Sequence, residues 1–379
     1  MKIVYCLNSF VRGGISQVTL VKANALADVP GNDVTLLVLD QRPKPTIPLN
    51  PKVHIHSLEI DYFAHYDSNR LRQHLYQLKL KWTHFKRLSA ELNALSPDIV
   101  ISTGEFGCHL LQYVRINSRP MKIREFHFCR NFMDFQSHTV LSKVKNQCLK
   151  WYDDVTRFWG YDKIVVLTEE DYESNWQGFS NVVVIPNPLT AVPNTVSTCE
   201  NKIVIAAGRL HYQKNFAGLI RLWGHVAARH SDWQLQIWGE GWLKDELQQQ
   251  IDRSGYSESV KLMGFTDQLL DKMTQASLFV FTSEFEGFGL VLVEAMSCGL
   301  PVVSYNCPFG PSSIISEGKN GFLIPVHNEA LFAQKVNALI DDSLLRKTMG
   351  RDAQYSAKKF QLEIIIKMWM DLFHHHKPY

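Results

Sequence analysis

Short apolar runs alternate with helical patterns along the whole 379-residue chain, and this alternation limits the possible folds more than any other feature. Residues 2–7, 34–39, 53–58, 98–102, 123–127, 163–167 and 182–186 are candidate strands separated by helical patterns. Strand–helix alternation predicts an α/β protein with parallel sheets. The series is interrupted at residues 187–200, Asn-Pro-Leu-Thr-Ala-Val-Pro-Asn-Thr-Val-Ser-Thr-Cys-Glu, a stretch of turn and extended-chain residues that reads as a linker. A second strand–helix series starts at Ile203. The length suits two domains with a core in each, here about 1–188 and 201–360.

Bulk composition excludes several classes. With 45% hydrophobic and 20% charged residues, the chain has ordinary globular composition. No stretch approaches the roughly 20 apolar residues of a spanning helix. The first residues, Met1-Lys2-Ile3-Val4-Tyr5-Cys6-Leu7, read as a strand and not as a secretory signal, so a cytoplasmic protein is expected. Seven scattered cysteines without CxxC spacing predict neither a disulfide framework nor a zinc site. The triplet His374-His375-His376 reads as a chance cluster. The net charge is only +3, yet residues 41–150 hold 17 Lys/Arg against 8 Asp/Glu, a local excess of +9. Such a region favours an anionic partner. Nucleic acid is not expected, because zinc-finger spacing and RNP-type aromatic motifs are both missing.

Chemistry concentrates in residues 284–301, Glu-Phe-Glu-Gly-Phe-Gly-Leu-Val-Leu-Val-Glu-Ala-Met-Ser-Cys-Gly-Leu-Pro. Glu286 and Glu294 flank the turn Gly287-Phe288-Gly289-Leu290, which opens a helix. A glycine turn at a helix N-terminus offers bare N–H groups to an anion, and a nearby carboxylate can take ligand hydroxyls. A sugar nucleotide supplies both. The same pattern also suits a plain strand–turn–helix joint with two surface carboxylates.

Lys202–Leu210 reads as a buried parallel strand ending in Gly208-Arg209, with Lys214-Asn215 close behind. Arg209 and Lys214 are candidates to neutralise a diphosphate beyond the carboxyl end of that strand. Trp233–Gly241 ends in Gly239-x-Gly241, and Val260–Phe265 leads into Gly264-Phe265. Gly13-Gly14 follow the first strand without a full GxGxxG, ahead of a helix over about Ile15–Leu26.

The Glu-x7-Glu spacing, Gly-Arg-Leu-x3-Lys-Asn and the ordered glycine loops over about residues 202–325 resemble the donor site of family-4 retaining glycosyltransferases. That resemblance implies a GT-B fold, with two Rossmann-like domains facing across a cleft and a final helix, about 361–379, crossing back to the first. It implies a metal-independent enzyme without a cofactor that moves a hexose from a nucleotide diphosphate sugar, UDP favoured, onto a glycan or lipid-linked acceptor. Arg209 and Lys214 would hold the diphosphate, Glu286 the donor sugar and Glu294 the ribose. Gly13, Gly14, Gly208, Gly264, Phe265, Gly287, Phe288, Gly289 and Leu290 would line the donor. His127, at the end of the candidate strand Ile123–His127, would face the transferred sugar, and Glu105 is a candidate for orienting the acceptor. Ser313 stands where the family usually has a glutamate. A sugar-nucleotide epimerase or hydrolase, or a non-catalytic nucleotide-sugar-binding protein, is the alternative reading.

Between Arg70 and Leu88, residues Leu71, Leu75, Leu78, Trp82 and Phe85 recur at helical spacing among Arg70, Arg72, Lys79, Lys81, Lys86 and Arg87. Two outcomes are open for this helix. It packs by its apolar stripe, or it lies on an anionic membrane surface, as suits an enzyme of envelope polysaccharide, lipopolysaccharide or capsule synthesis.

Overall fold

The computed structural model describes residues 1–11, 13–42, 44–62, 69–103, 110–128 and 160–374. The chain forms two compact units. One holds Met1–Leu167, Tyr172–Thr190 and Leu362–Tyr379, and the other holds Thr168–Asp171 and Ala191–Gln361.

The first unit contains β1 (Lys2–Leu7), α1 (Gly14–Asp28), β2 (Asp33–Val38), β3 (Val53–Ser57), α2 (Arg70–Leu95), β4 (Ile99–Ser102), β5 (Met121–Glu125) and β6 (Lys163–Val166). Helix α3 (Glu169–Asn175) and β7 (Val182–Val184) follow. All strand pairs are parallel, in the order β3-β2-β1-β4-β5-β6-β7. β1, β2 and β4 are buried along nearly their whole length, as expected for strands covered on both faces.

The second unit contains β8 (Ile203–Ala207), α4 (Phe216–Ala227), β9 (Gln234–Trp238), α5 (Lys244–Asp252), β10 (Val260–Gly264), α6 (Leu269–Thr274) and β11 (Leu278–Phe281). It continues through α7 (Leu290–Ser297), β12 (Val302–Tyr305), α8 (Pro311–Ile314), β13 (Gly321–Ile324), α9 (Glu329–Asp341) and α10 (Ser343–Ala357). Its parallel order is β10-β9-β8-β11-β12-β13. Connections therefore run one way from β8 and the other way from β11, which places a topological switch point between these two neighbours. In open parallel sheets ligands bind at the carboxyl ends of such strands.

The last helix, α11 (Leu362–His374), belongs to the first unit. Its Ile365, Ile366, Trp369 and Phe373 pack with Ile3, Tyr5, Leu20 and Val34 in one core. An apolar stripe at i, i+1, i+4 and i+8 is what a helix laid on a core presents.

Three local readings change. β5 ends at Glu125, so His127 lies in the following loop and not on the strand. The ladder to β6 gives its last bond at Phe126, whose N–H donates to Val165 O at 2.8 Å. The segment read as a linker is largely docked. Ser197 N donates to Cys298 O, and Cys199 Sγ to Gly299 O, so residues from Ala191 onward pack with the second unit. Helix α2 runs seven residues beyond Leu88, with Asn69 Oδ1 capping the amides of Leu71 and Arg72. His84, Leu88 and Leu92 are buried, whereas Leu71, Leu75, Leu78 and Trp82 are 69%, 57%, 49% and 59% exposed. The periodicity thus locates the apolar face, but the first turns do not pack it.

One glycine fixes how the loops of the second sheet interlock. Gly239 has φ 142°, and a Cβ there would lie 1.9 Å from Gly208 O. Gly239→Ala should cost on the order of 1–3 kcal/mol, because backbone has to move. A chemical denaturation midpoint unchanged from wild type would contradict this.

Candidate active site

The site is built from two loops that leave adjacent strands. After β8, the chain runs through Gly208-Arg209-Leu210 into a short 3-10 turn, Tyr212–Lys214. Leu210 N donates to Glu240 O, which ties this loop to the Gly239–Gly241 loop after β9. Asn215, at φ 49°, turns the chain into α4 and caps it by accepting from Gly218 N at 3.0 Å. After β11, residues Thr282–Gly289 form the second loop and lead into α7.

Several hydrogen bonds stitch the two loops together. Glu284 N donates to Gln213 O at 2.8 Å, and Gln213 Nε2 to Phe285 O at 2.8 Å. Thr282 Oγ1 donates to Lys214 O, while Asn215 Nδ2 donates to Glu284 Oε1. A third loop joins through Glu286 N, which donates to Pro308 O at 2.7 Å. Within this frame Lys214 Nζ meets Glu286 Oε1 at 2.5 Å. The lysine stem runs along Gly208, where a Cβ would come within 3.2 Å of Lys214 Cε. Both ends of the pair are largely buried, at 17% and 10% side-chain exposure. Arg209 is exposed and forms no ion pair among the described residues.

Gly289 caps α7 in the left-handed region at φ 87°, a conformation that a glycine adopts at no steric cost. No side chain caps this helix, so its first amides remain available. Phe288 is buried and packs edge-on against Phe360 at 5.4 Å. Leu290 opens α7, Gly287 lies in the turn before it, and Glu294 lies five residues into the helix and is half-buried. Gly264 ends β10 at φ 77°, and Phe265 beyond it is 48% exposed. Behind Glu286 the Cys307 thiol is pushed up by burial and then by that carboxylate, so it stays protonated. Ser313 lies in α8, and its carbonyl accepts from Lys359 Nζ at 3.1 Å.

Gly13, Gly14 and His127 lie in the first unit, after β1 and β5. Glu105 lies outside the described residues. His127 stands beside a cluster that residue patterns did not reveal. Lys22 on α1 donates to Glu125 Oε1, and His127 Nε2 lies 3.5 Å from the same oxygen. Lys22 and Glu125 side chains are each 1% exposed. Burial alone would raise the Glu125 carboxyl, but Lys22 and then His127 outweigh it and hold it below the ordinary range. The available signal was charge in apolar context: Lys22 interrupts an otherwise buried helix face, and Glu125 ends a buried strand. Among the described residues, no group of three or more His, Cys, Asp or Glu side chains is placed to hold a metal ion.

Residues 194–355 match a family model described as glycosyl transferases group 1. An uncharacterized glycosyltransferase of Haemophilus influenzae is 27% identical over 96% of this chain and 97% of its own length. The amylovoran biosynthesis glycosyltransferase AmsD of Erwinia amylovora is 31% identical, over 56% of this chain and 62% of that protein. A crystal structure of TarM from S. aureus, in complex with fondaparinux, alpha-GlcNAc-glycerol and UDP, superposes with a TM-score of 0.76. It is 18% identical, with 98% of this chain and 99% of that chain covered. Residues 194–355, within the second unit, are thus similar to a glycosyltransferase group 1 domain, and the two parallel-sheet units are those of the GT-B fold.

The ion pair has a consequence for ligand binding. A diphosphate placed on Lys214 would have to compete with Glu286 for it, and on that assignment Glu286→Gln should tighten binding of a nucleoside diphosphate alone. Lys214→Ala should weaken it roughly tenfold to a hundredfold, the range for losing a charge-assisted hydrogen bond. Calorimetry of both variants checks this; equal affinities for wild type and Glu286→Gln would refute the competition.

Proposed function

We propose that this protein is a retaining glycosyltransferase that moves a hexose from a UDP-sugar onto a glycan or lipid-linked acceptor in envelope polysaccharide synthesis. The observation that carries the reading is the Lys214–Glu286 pair, held between the two loops at the β8/β11 switch point. Support also comes from the group 1 domain match and from relatives named for polysaccharide synthesis, such as the amylovoran enzyme. The UDP in the TarM complex favours a uridine donor. Nothing in these comparisons favours the epimerase, hydrolase or passive-binding alternatives.

In the proposed reaction the diphosphate rests on Arg209, Lys214 and the first amides of α7. As the glycosidic bond breaks, negative charge grows on the leaving phosphate, and these groups stabilise it most at that point. Glu286, released from Lys214, takes hydroxyls of the donor sugar, and Glu294 takes the ribose. His127 meets a hydroxyl of the reacting sugar. The leaving phosphate accepts the acceptor's proton, so attack comes from the face it departs and the α-configuration is kept. Protein cations supply the positive charge, and the reaction needs no metal. Arg209→Ala and Lys214→Ala should each lower the transfer rate roughly 10²–10³-fold while the protein stays folded, and excess EDTA should leave wild-type activity intact. Near-normal turnover in both variants would remove the site assignment; loss in EDTA that magnesium restores would remove the metal-independent mechanism.

The acceptor side of the proposal rests on α2. Its exposed Leu71, Leu75, Leu78 and Trp82 are interspersed with exposed Arg72, Lys79, Lys81 and Lys86, and Lys86 Nζ sits 3.5 Å from the Trp82 ring centroid. No described helix is long and apolar enough to cross a membrane. Peripheral docking at the cytoplasmic membrane face would bring the enzyme to anionic lipid-linked precursors, with about 1 kcal/mol from each basic residue near the surface. Arg87 is spoken for, since its Nη1 donates to Leu58 O and Glu59 O. In sedimentation with vesicles, binding should favour anionic lipid and fall at high salt. It should fall further in Lys79→Gln/Lys81→Gln/Lys86→Gln and in Trp82→Ala. Indifference to anionic vesicles at low salt would leave a non-membrane acceptor.

A further inference from the structure

The Lys22–Glu125–His127 cluster belongs to the first unit's sheet and the helices packed on it. We infer that Glu125, kept ionised by Lys22, is a positioning residue: it fixes the ring proton of His127 on Nε2 and leaves Nδ1 as a hydrogen-bond acceptor for a substrate hydroxyl. The inference rests on the reading that His127 meets substrate.

The argument begins with burial. A carboxylate taken out of water alone would take up a proton. Glu125 is 4% exposed, and Lys22, donating to its Oε1, prevents this. The lysine is itself enclosed. Its Nζ lies 4.6 Å from the Trp369 ring centroid on α11 and 5.8 Å from that of Tyr5 on β1. Those aromatic faces favour the cation while shutting out water. Tyr5 is no rival proton source, because burial and then Glu125 push its phenol well above the ordinary value.

An ionised carboxylate only accepts hydrogen bonds. The ring nitrogen that faces it, His127 Nε2, lies 3.5 Å from Oε1 with no hydrogen-bond partner closed in this state, and the negative charge opposite favours hydrogen on that nitrogen. In a neutral imidazole that leaves the lone pair on Nδ1, so one ring atom is committed to Glu125 and the other is an acceptor. A buried ion pair gains little over an apolar replacement of the same shape. Stability alone therefore gives a weak reason for placing one here, whereas an acceptor facing the ring sets which nitrogen carries the hydrogen. Trp369 extends the device to α11, which covers Lys22 and so helps to keep the pair dry.

The same logic gives the test. Without Lys22 the buried Glu125 carboxyl takes a proton and becomes a donor, which drives hydrogen from Nε2 to Nδ1. Two-bond ¹H–¹⁵N correlation on histidine-labelled protein, at a pH where His127 is neutral, reads this directly, with His127→Gln identifying the resonance. The wild type should show the Nε2–H tautomer and Lys22→Met the Nδ1–H tautomer. Transfer by Lys22→Met should fall roughly tenfold to a hundredfold, the range for one misdirected hydrogen bond to substrate. Adding Glu125→Gln should restore both tautomer and most of the activity, because the amide introduced there accepts from Nε2–H without a charge to compensate. Rescue of activity alone would follow for a purely structural pair as well, because both charges are then gone, so the tautomer is the deciding readout. An Nδ1–H tautomer in the wild type overturns the inference even if Lys22→Met fails to fold, and so does a Lys22→Met spectrum identical to wild type. If instead the tautomer switches but neither Lys22→Met nor His127→Ala alters transfer, the contact of His127 with substrate is what fails.

Discussion

The candidate site depends on the reversal of strand order between β8 and β11. Because the chain leaves these neighbours in opposite directions, a crevice opens between their carboxyl ends. Their two loops fill it and bond to each other. The backbone and amide contacts among Gln213, Glu284 and Phe285 leave little slack, so Lys214 and Glu286 are brought together by the frame and not by their charges alone. In a partly dehydrated setting each neutralises the other, which lowers the cost of keeping both in an empty site. In the proposed reaction an arriving diphosphate would take the lysine from Glu286, and the carboxylate so released would stand close to the group the phosphate carries.

How far the sequence revealed this follows from distance along the chain. The Gly289 turn, the helix it opens and the Gly208-Arg209 loop were legible because each is local: a few residues whose backbone needs and side-chain chemistry agree. Lys214 and Glu286 were legible as separate site candidates, but their direct contact was not, since 72 residues separate them. The Lys22–Glu125 pair spans 103 residues and was missed altogether. It left only the trace of a charge in an apolar pattern. The end of β5 moved for a different reason. Apolar character continues to Phe126, while a strand lasts only as long as its partner β6 offers acceptors.

Periodicity also left α2 undecided, for a reason general to amphipathic helices. Spacing fixes which side chains share a face, but not what lies opposite. Here one helix does both things. Its later turns bury His84, Leu88 and Leu92, and its first turns leave a leucine–tryptophan face in solvent beside lysines. Burial holds the His84 imidazole down to about 4, so it stays neutral against Tyr62 and adds nothing to the surface charge. The basic character of the exposed end is thus carried by Lys and Arg, whose charge persists across physiological pH.

Two of the buried cations among the described residues show that burial does not by itself dictate a carboxylate partner. Arg346 on α10 is 5% exposed, and it is satisfied by carbonyls alone: those of Cys199, Leu339 and Ile340. Its planar fork of donors reaches several backbone acceptors at once, which anchors the chain after residue 190 to the second unit. Lys22 has the same need and a different answer. Three rotatable donors on a compact ammonium could also have been met by carbonyls, yet the residue supplied is Glu125, a full charge next to a histidine. Where carbonyls would suffice for burial, a side-chain acceptor beside the ring adds the means to set its tautomer. The arrangement is more readily explained by what Glu125 does to His127 than by what Lys22 needs.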